Sequence, residues 1–229
     1  MLPNEKFIKT DIIEILKESN NLVNISCQGI ESYPLQEYVL ASTFIKMTGY
    51  LEQKIKCICW DIGSINYEFR YEILKKWNTL GTFSAYEKIK EVYDFLKDII
   101  LSVDKSFTVD ETISLTAYNE TKKLFKQSIL NSYEERKYLK FKNDKSFFEE
   151  KSFEDLSSFY IDYLYKKRNT IAHNTKSYQD NFPKLNILRK EKDYERNSYY
   201  HFFTVLTIYD RMFVSLYKNC IDIINENSW

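Results

Sequence analysis

The stretch HFFTVLTIYDRMFVSLYKNCIDI, residues 201–223, decides the fold class of this chain. Large apolar residues recur in it in alternating steps of four and three. They are Phe202, Leu206, Tyr209, Phe213, Leu216, Cys220 and Ile223. This is the spacing of one face of an α-helix, so we predict a long closing helix whose apolar stripe packs against other helices. The pattern fits burial within a helical bundle and also fits a dimer seam.

The same helical spacing recurs in three earlier segments of the chain. Its apolar positions are Leu40, Phe44, Met47, Leu51, Ile55 and Ile58, then Ala85, Ile89, Val92, Leu96 and Ile99, then Phe153, Leu156, Tyr160 and Leu164. Pro34 suits the start of the first of these helices, and residues 1–20 are a further amphipathic helix candidate. Only four glycines and three prolines interrupt the chain. We therefore predict an all-α bundle of four or five main helices with extra ones, forming a single domain over residues 1–229.

Three segments depart from this helical pattern. Residues 106–116, SFTVDETISLT, alternate well enough to form a short hairpin or an irregular insert. Residues 142–152 are rich in charge and are predicted to connect two helices. Residues 174–198 form a longer connection, and connections of that length inside a compact domain are often functional or contain a short helix.

The charges balance at 33 basic and 33 acidic residues, so the chain has no overall positive field that would attract nucleic acid. Any contact with RNA must then come from a local patch or pocket. Aromatic residues make up 17% of the chain, and their rings could stack on bases. At helical spacing, however, aromatic residues are more often part of a core.

The cysteines and the opening residues indicate a cytoplasmic protein. The four cysteines include no CxxC pair, which is typical of reduced thiols in the cytoplasm. Residues 1–20 lack the apolar run of a signal peptide. No stretch approaches the roughly 18 uninterrupted apolar residues of a membrane span, so we expect no membrane contact.

Several cofactor sites are excluded by the motifs that the chain lacks. No glycine-rich loop is present, which argues against a P-loop or a dinucleotide fingerprint. His173 and His201 lie far apart, without a cysteine pair or an HExxH motif, so a zinc site is not expected. The acidic residues show no spacing that requires two metals, although a carboxylate magnesium site stays open. We predict no cofactor and no metal.

The stretch KKRNTIAHN, residues 166–174, offers a different chemistry. Cleavage of RNA without a metal needs a group that moves protons and a cation that stabilises the phosphorane. His173 suits the first task because histidine titrates near neutral pH, and Arg168 suits the second because its fork of donors grips phosphate oxygens. On a straight helix the two would lie about 140° apart around the axis and about 7.5 Å along it. A two-fold dimer that joins two copies would complete such a sparse site.

The pattern occurs a second time in RNSYYH, where Arg196 and Asn197 precede His201. We favour the first copy because a small residue, Ala172, precedes its histidine, whereas two tyrosines crowd the second. Lysines flank the first copy and could hold phosphates, whereas acidic residues flank the second. The lysines are Lys166, Lys167 and Lys176, and the acidic residues are Glu191, Asp193 and Glu195. His201 is interpreted as an early residue of the last helix.

RNTIAH resembles the R-x4-6-H signature of HEPN domains (higher eukaryotes and prokaryotes nucleotide-binding), with the polar residue that often follows the arginine. Residues 38–56, YVLASTFIKMTGYLEQKIK, are similar to the early HEPN helix that carries an apolar stripe and a glutamate, here Glu52. A solvated or ion-paired helix glutamate is the simpler interpretation of Glu52. The resemblance implies a compact helical bundle that dimerises so that two motifs form one cleft.

By this resemblance Arg168, Asn169 and His173 are the catalytic residues of a metal-independent endoribonuclease. Many HEPN proteins are toxins of toxin–antitoxin systems or effectors of phage defence, so the resemblance implies a transfer or messenger RNA substrate and an antitoxin or companion defence protein. Two alternatives stay open. One is a non-catalytic HEPN-like module that binds nucleotide, RNA or a partner protein. The other is a purely structural helical protein, in which His173 bonds a carbonyl at a helix end and Arg168 forms a surface ion pair.

Overall fold

The regular structure of this chain is helical wherever it is described. The computed structural model describes residues 2–26, 33–76, 86–109, 112–128, 164–173 and 199–226, and within these ranges there is no strand. The helices are α1 (Glu5–Lys9), α2 (Ile13–Ser26), α3 (Tyr33–Ile65), α4 (Tyr67–Lys76), α5 (Tyr86–Val103), α6 (Thr112–Lys126), α7 (Lys166–His173) and α8 (Tyr199–Glu226). The predicted all-α fold class is confirmed.

The two longest helices, α3 and α8, are those with the clearest apolar stripes. The helix α3 has 33 residues, and Pro34 lies in its first turn, where the missing N–H costs nothing. Every member of its predicted stripe is buried: Leu40, Phe44, Met47, Leu51, Ile55 and Ile58. In α8, of 28 residues, the predicted stripe is buried from Phe202 to Cys220. The stripe of α8 is therefore covered within one chain, as the bundle interpretation expects, without a second copy.

The chain divides into two compact units. The first comprises Met1–Asp11, Gly49–Asp110 and Tyr209–Trp229, and the second comprises Ile12–Thr48 and Glu111–Ile208. Two of the four divisions fall inside helices, α3 and α8, and the other two fall between helices. The expectation of a single domain over residues 1–229 stays a prediction.

The first unit has an aliphatic and aromatic core that includes buried Ile55, Ile62 and Phe213. The ring of Phe69, from α4, meets that of Phe95, from α5, edge to face with centroids 4.7 Å apart. The helix α4 starts directly after Asn66, whose Oδ1 accepts the backbone N–H of Phe69 at 2.8 Å. This is an N-cap, which satisfies a donor that the first turn of a helix leaves open.

The opening segment is broken into two helices, and the prediction of one amphipathic helix over residues 1–20 was wrong. The helix α1 ends at Lys9, and Thr10 has an extended backbone with φ −73° and ψ 122°. The freed carbonyl oxygen of Thr10 accepts a hydrogen bond from the ammonium Nζ of Lys54 at 2.6 Å. The break therefore has a tertiary cause, because a buried cation 44 residues away takes the carbonyl that a continuous helix would use.

The second unit is packed around aromatic rings. Phe125 of α6 lies 5.5 Å from the ring of Tyr200 and 6.1 Å from that of Phe203, both on α8. Phe44 of α3 lies 5.2 Å from the ring of Phe202. Residues 200–208 of α8 are all buried, so the helix is covered on every side there and not along one stripe only.

The described residues of the 106–116 segment, 106–109 and 112–116, contain no strand and the latter are helical, so the hairpin alternative was wrong. After α5 ends at Val103, the carboxylate of Asp104 accepts the backbone N–H of Ser106 at 2.9 Å, which closes a turn. Helix α6 then begins at Thr112. Its buried residues, Ala117, Tyr118, Thr121 and Phe125, are at helical spacing. The alternation within 106–116 misled because the helical series shows itself only after residue 116.

Some sequence predictions concern residues outside the described ranges. They include both connections, 142–152 and 174–198, and the stripe members Ala85, Phe153, Leu156 and Tyr160. Leu164, the last member of the stripe that begins at Phe153, is described and is buried.

Candidate functional site

The RNTIAH motif lies on α7, in the second unit. Arg168 and Asn169 are in the first turn of this eight-residue helix, and His173 is its last residue. Leu164 and Tyr165 directly precede α7 and have a π-helical backbone conformation.

Arg168 and Asn169 contact each other. The guanidinium Nη1 of Arg168 donates to Oδ1 of Asn169 at 3.3 Å, and both side chains are half-buried. The oxygen of the Asn169 amide is the acceptor of this bond, and its NH₂ group is a hydrogen-bond donor. The contact joins the two polar groups that the resemblance to HEPN domains predicts to share one site.

The lysines of the predicted RNA-binding patch have different surroundings. Lys166 is exposed, whereas Lys167 is half-buried. The ammonium of Lys167 lies 5.9 Å from the ring centroid of Tyr199, at the start of α8, within range of a cation–π contact. Lys176 lies outside the described residues.

The helical geometry separates the arginine from the histidine. Since α7 runs through to His173, Arg168 and His173 are five positions apart on one helix. Five residues correspond to about 140° of rotation, whereas Asn169 and His173, four apart, share one face. The His173 side chain itself is outside the described part of the structure. Arg168 and His173 are therefore at different angular positions along α7.

The second RNxxxH copy has no access to solvent at its histidine. His201 is the third residue of α8, and only 2% of its surface is exposed. Its ring meets that of Tyr200 edge to face, with centroids 5.4 Å apart. The interpretation of His201 as an early residue of the last helix is confirmed, while Arg196 and Asn197 lie outside the described residues.

Glu52 is an ion-paired helix residue. Its carboxylate lies 3.4 Å from the ammonium of Lys56, one turn further along α3, and both side chains are partly covered. This agrees with the simpler interpretation of Glu52. The i,i+4 pair contributes about 0.3–0.5 kcal/mol in typical helices, so it adds little to stability.

A buried ion pair in the first unit was missed by sequence reasoning. The ammonium of Lys54 lies 2.5 Å from the carboxylate of Asp210, and their side chains are 0% and 1% exposed. Lys54 also bonds the carbonyl of Thr10 and lies 5.4 Å from the ring centroid of Tyr50. One signal was present in the sequence, because Lys54 falls three residues after Leu51, on the apolar stripe of α3.

A second polar cluster of the first unit is centred on the buried carboxylate of Asp61. Its Oδ2 accepts the hydroxyl of Tyr217 at 3.1 Å, and its Oδ1 accepts the amide of Asn4 at 2.8 Å. Burial, and then the charge of Asp61, raise the pKa of Tyr217 well above its usual range. The tyrosine therefore stays a hydroxyl donor at neutral pH and is unsuited to act as a base.

Tyr217 also borders a surface cleft of about 540 Å³. The lining residues are Leu2, Glu5, Lys9, Ile65, Tyr217, Lys218, Ile221, Asp222 and Asn225. Two acidic and two basic side chains are among them, and Lys9 and Glu5 pair with each other. The charge of this cleft favours neither an anion nor a cation.

The described cysteines are poor nucleophiles. Cys57, Cys59 and Cys220 are free thiols, and burial raises the pKa of Cys59 and of Cys220. Thiols of high pKa carry little thiolate, which is the reactive form. Among the described residues no three His, Cys, Asp or Glu side chains are grouped as metal ligands.

None of the helices in the described ranges combines the length and apolar character needed to cross a membrane.

Comparisons with protein-family models, with curated proteins and with solved structures find no match to this chain. The resemblance to HEPN domains therefore stays a prediction that depends on the residues of α7 and on the all-α fold.

Proposed function

We propose that this chain is a metal-independent endoribonuclease of the HEPN type, a toxin or defence effector that cleaves transfer or messenger RNA. The observation that carries the proposal is the contact between Arg168 and Asn169 on the helix that His173 ends. Support also comes from the exposed Lys166 beside the motif.

The proposed reaction uses the side chains of Arg168, Asn169 and His173 and no metal. The ribose 2'-oxygen attacks the adjacent phosphorus, and the bond from phosphorus to the 5'-oxygen breaks. The 2'-hydroxyl loses a proton and the 5'-oxygen gains one, and His173 serves as the general acid and base because imidazole titrates near neutral pH. Arg168 stabilises the charge on the phosphorane, and Asn169 orients the phosphate. The products carry 2',3'-cyclic phosphate and 5'-hydroxyl ends.

A second copy of the chain would complete the proposed site. The positions of Arg168 and His173 are about 140° apart around the axis of one α7, so we expect a phosphate bound by the arginine to meet the histidine of another copy. A two-fold axis beside α7 would set the arginine of one copy against the histidine of the other. An antitoxin or companion defence protein would then act by covering this joint cleft.

The proposal is tested with purified protein and total bacterial RNA, with and without EDTA. Wild type is expected to cleave RNA at an unchanged rate in EDTA and to leave cyclic phosphate ends. His173→Ala and Arg168→Ala are expected to lower the rate by at least about a hundredfold, as removal of a general acid/base does. His201→Gln is the matched control from the second motif, and at a temperature where it is folded it should still cleave.

Two results would count against the enzyme. Cleavage that stops in EDTA contradicts the metal-free reaction. If wild type and His173→Ala bind RNA equally and neither cleaves it, the non-catalytic module replaces the endoribonuclease. Growth of a bacterial host after induction gives a parallel measurement. Only an active enzyme should stop growth, and His173→Ala should then restore it.

A further inference from the structure

Helix α4 presents an exposed apolar face. Tyr67, Tyr71 and Leu74 are 71%, 56% and 65% exposed. Their steps of four and three place them on one side of the helix. On the opposite side Phe69 is buried against Phe95, so the orientation of α4 is fixed by packing in the first unit.

A cation accompanies each of the two exposed tyrosines. The guanidinium carbon of Arg70 lies 5.3 Å from the ring centroid of Tyr67, and the ammonium of Lys75 lies 5.9 Å from that of Tyr71. Both cationic residues are exposed. At roughly 100° per residue, Arg70 and Lys75 lie on the two flanks of the apolar face, and the carboxylates of Glu68 and Glu72 lie beyond Lys75.

Exposure of the ring distinguishes these pairs from other lysine–tyrosine pairs of the chain. Lys97 lies 5.7 Å from the ring of Tyr93, and Lys122 lies 5.2 Å from the ring of Tyr118. Both of those tyrosines are only 4% exposed, so their rings are part of a core. On α4 the ring and its cation are both open to a ligand.

This combination has a specific chemical use. Aromatic rings stack on the bases of single-stranded nucleic acid, because every base has a π-face, and neighbouring cations hold the phosphates. An apolar protein partner would gain from the rings and Leu74, but it would have to desolvate a cation on each flank. The charges therefore favour a polyanion over an apolar protein surface.

We propose that the α4 face, consisting of Tyr67, Arg70, Tyr71, Leu74 and Lys75, binds single-stranded nucleic acid. Bases stack on the two tyrosines, and phosphates pair with Arg70 and Lys75. Neither contact reads the 2'-hydroxyl, so RNA and DNA of one sequence bind alike here. This binding goes beyond the proposed ribonuclease activity and does not depend on it.

Fluorescence anisotropy with a labelled single-stranded RNA 12-mer tests the proposal. The full chain carries His173→Ala throughout, so that binding is measured apart from cleavage. Tyr67→Ala with Tyr71→Ala is expected to raise Kd by at least about tenfold, because it removes both rings on which bases would stack. Tyr67→Phe with Tyr71→Phe keeps both rings and should bind as the parent does, which separates stacking from any change in folding.

The cations are tested by the dependence of Kd on salt. Arg70→Gln with Lys75→Gln removes two phosphate contacts and should reduce the slope of log K against log salt by about 1.4. Lys97→Gln is the matched control, because it removes a lysine from a pair whose ring is buried, and it should leave the slope unchanged.

The proposal is overturned if the tyrosine-to-alanine pair binds RNA as the parent does while its fold is intact by circular dichroism. It is also overturned if the parent is a dimer by light scattering, the same pair is monomeric, and RNA affinity is equal, since the face would then bind protein. Cleavage by a chain that lacks the α4 rings would leave the proposed function standing, so the two proposals fail separately.

Discussion

The two compact units of this chain are stabilised by different chemistry. In the first unit buried carboxylates bind specific partners: Asp210 binds Lys54, and Asp61 binds Tyr217 and Asn4. In the second unit aromatic rings pack against each other: Phe44 lies against Phe202, and Phe125 lies against Phe203. Aromatic packing tolerates changes of similar volume, whereas a buried charge that loses its partner is strongly destabilising. The comparison teaches that the first unit should be more sensitive to the loss of a polar partner, and the second to the loss of ring volume.

The largest effect is expected from breaking the buried ion pair. Lys54→Ala leaves the carboxylate of Asp210 buried without its cation and releases the carbonyl of Thr10, which should cost about 3–5 kcal/mol in the free energy of unfolding. Urea unfolding measures it. The double variant Lys54→Met with Asp210→Leu is the control, because two apolar residues restore much of the loss. If the double variant loses as much free energy of unfolding as its two single variants together, Lys54 and Asp210 do not stabilise each other and the contrast between the units fails.

Tyr217→Phe should have an intermediate effect. It removes a hydrogen bond to a charged acceptor, which typically contributes about 1.5–3 kcal/mol. The pKa of Tyr217 is raised in the folded chain above its ordinary value of 10.0, so the folded state keeps this proton where the unfolded state loses it. The stabilisation is thus complete below pH 10 and is lost as pH rises further. Urea unfolding between pH 8 and 11 should show wild type losing stability more steeply than Tyr217→Phe, and parallel curves would refute the coupling.

The smallest effect is expected from a conservative change among the rings of the second unit. Phe125→Leu keeps an apolar side chain of moderate size among the rings of Tyr200 and Phe203 and should cost under about 1.5 kcal/mol. Thermal unfolding measures it, with Phe125→Ala as the comparison, expected at about 3–5 kcal/mol because it leaves a cavity. If Phe125→Leu costs as much as Lys54→Ala, the contrast between the two units does not hold.

Apolar spacing was sufficient to predict the long helices. The stripes of α3 and α8 run at three and four residues, and burial of such a face is a local consequence of helix geometry. The break at Thr10 could not be predicted in the same way, because it depends on a lysine distant in sequence. Lys54 itself was overlooked because lysine is normally exposed, and only its position on an apolar stripe distinguishes it.

The surface features were harder to predict than the core. Tyr67 and Tyr71 have helical spacing, which usually indicates a core, yet α4 buries Phe69 instead and exposes both tyrosines. Which of two possible faces packs is settled by the neighbouring helix α5 and not by the sequence of α4. For the candidate site, the motif predicted that Arg168 and Asn169 act together, and their contact agrees with that, but their activity stays a proposal.

The pairing of Lys54 with Asp210 also constrains how the chain can fold during synthesis. Residue 54 leaves the ribosome long before residue 210, so the ammonium must remain hydrated until α8 has been made. Contacts between such distant residues form slowly, because the chain must first lose the conformational entropy of closing a long loop. We expect ribosome-bound chains that end before residue 210 to leave the first unit open to proteases, and its protection to appear only once Asp210 has emerged.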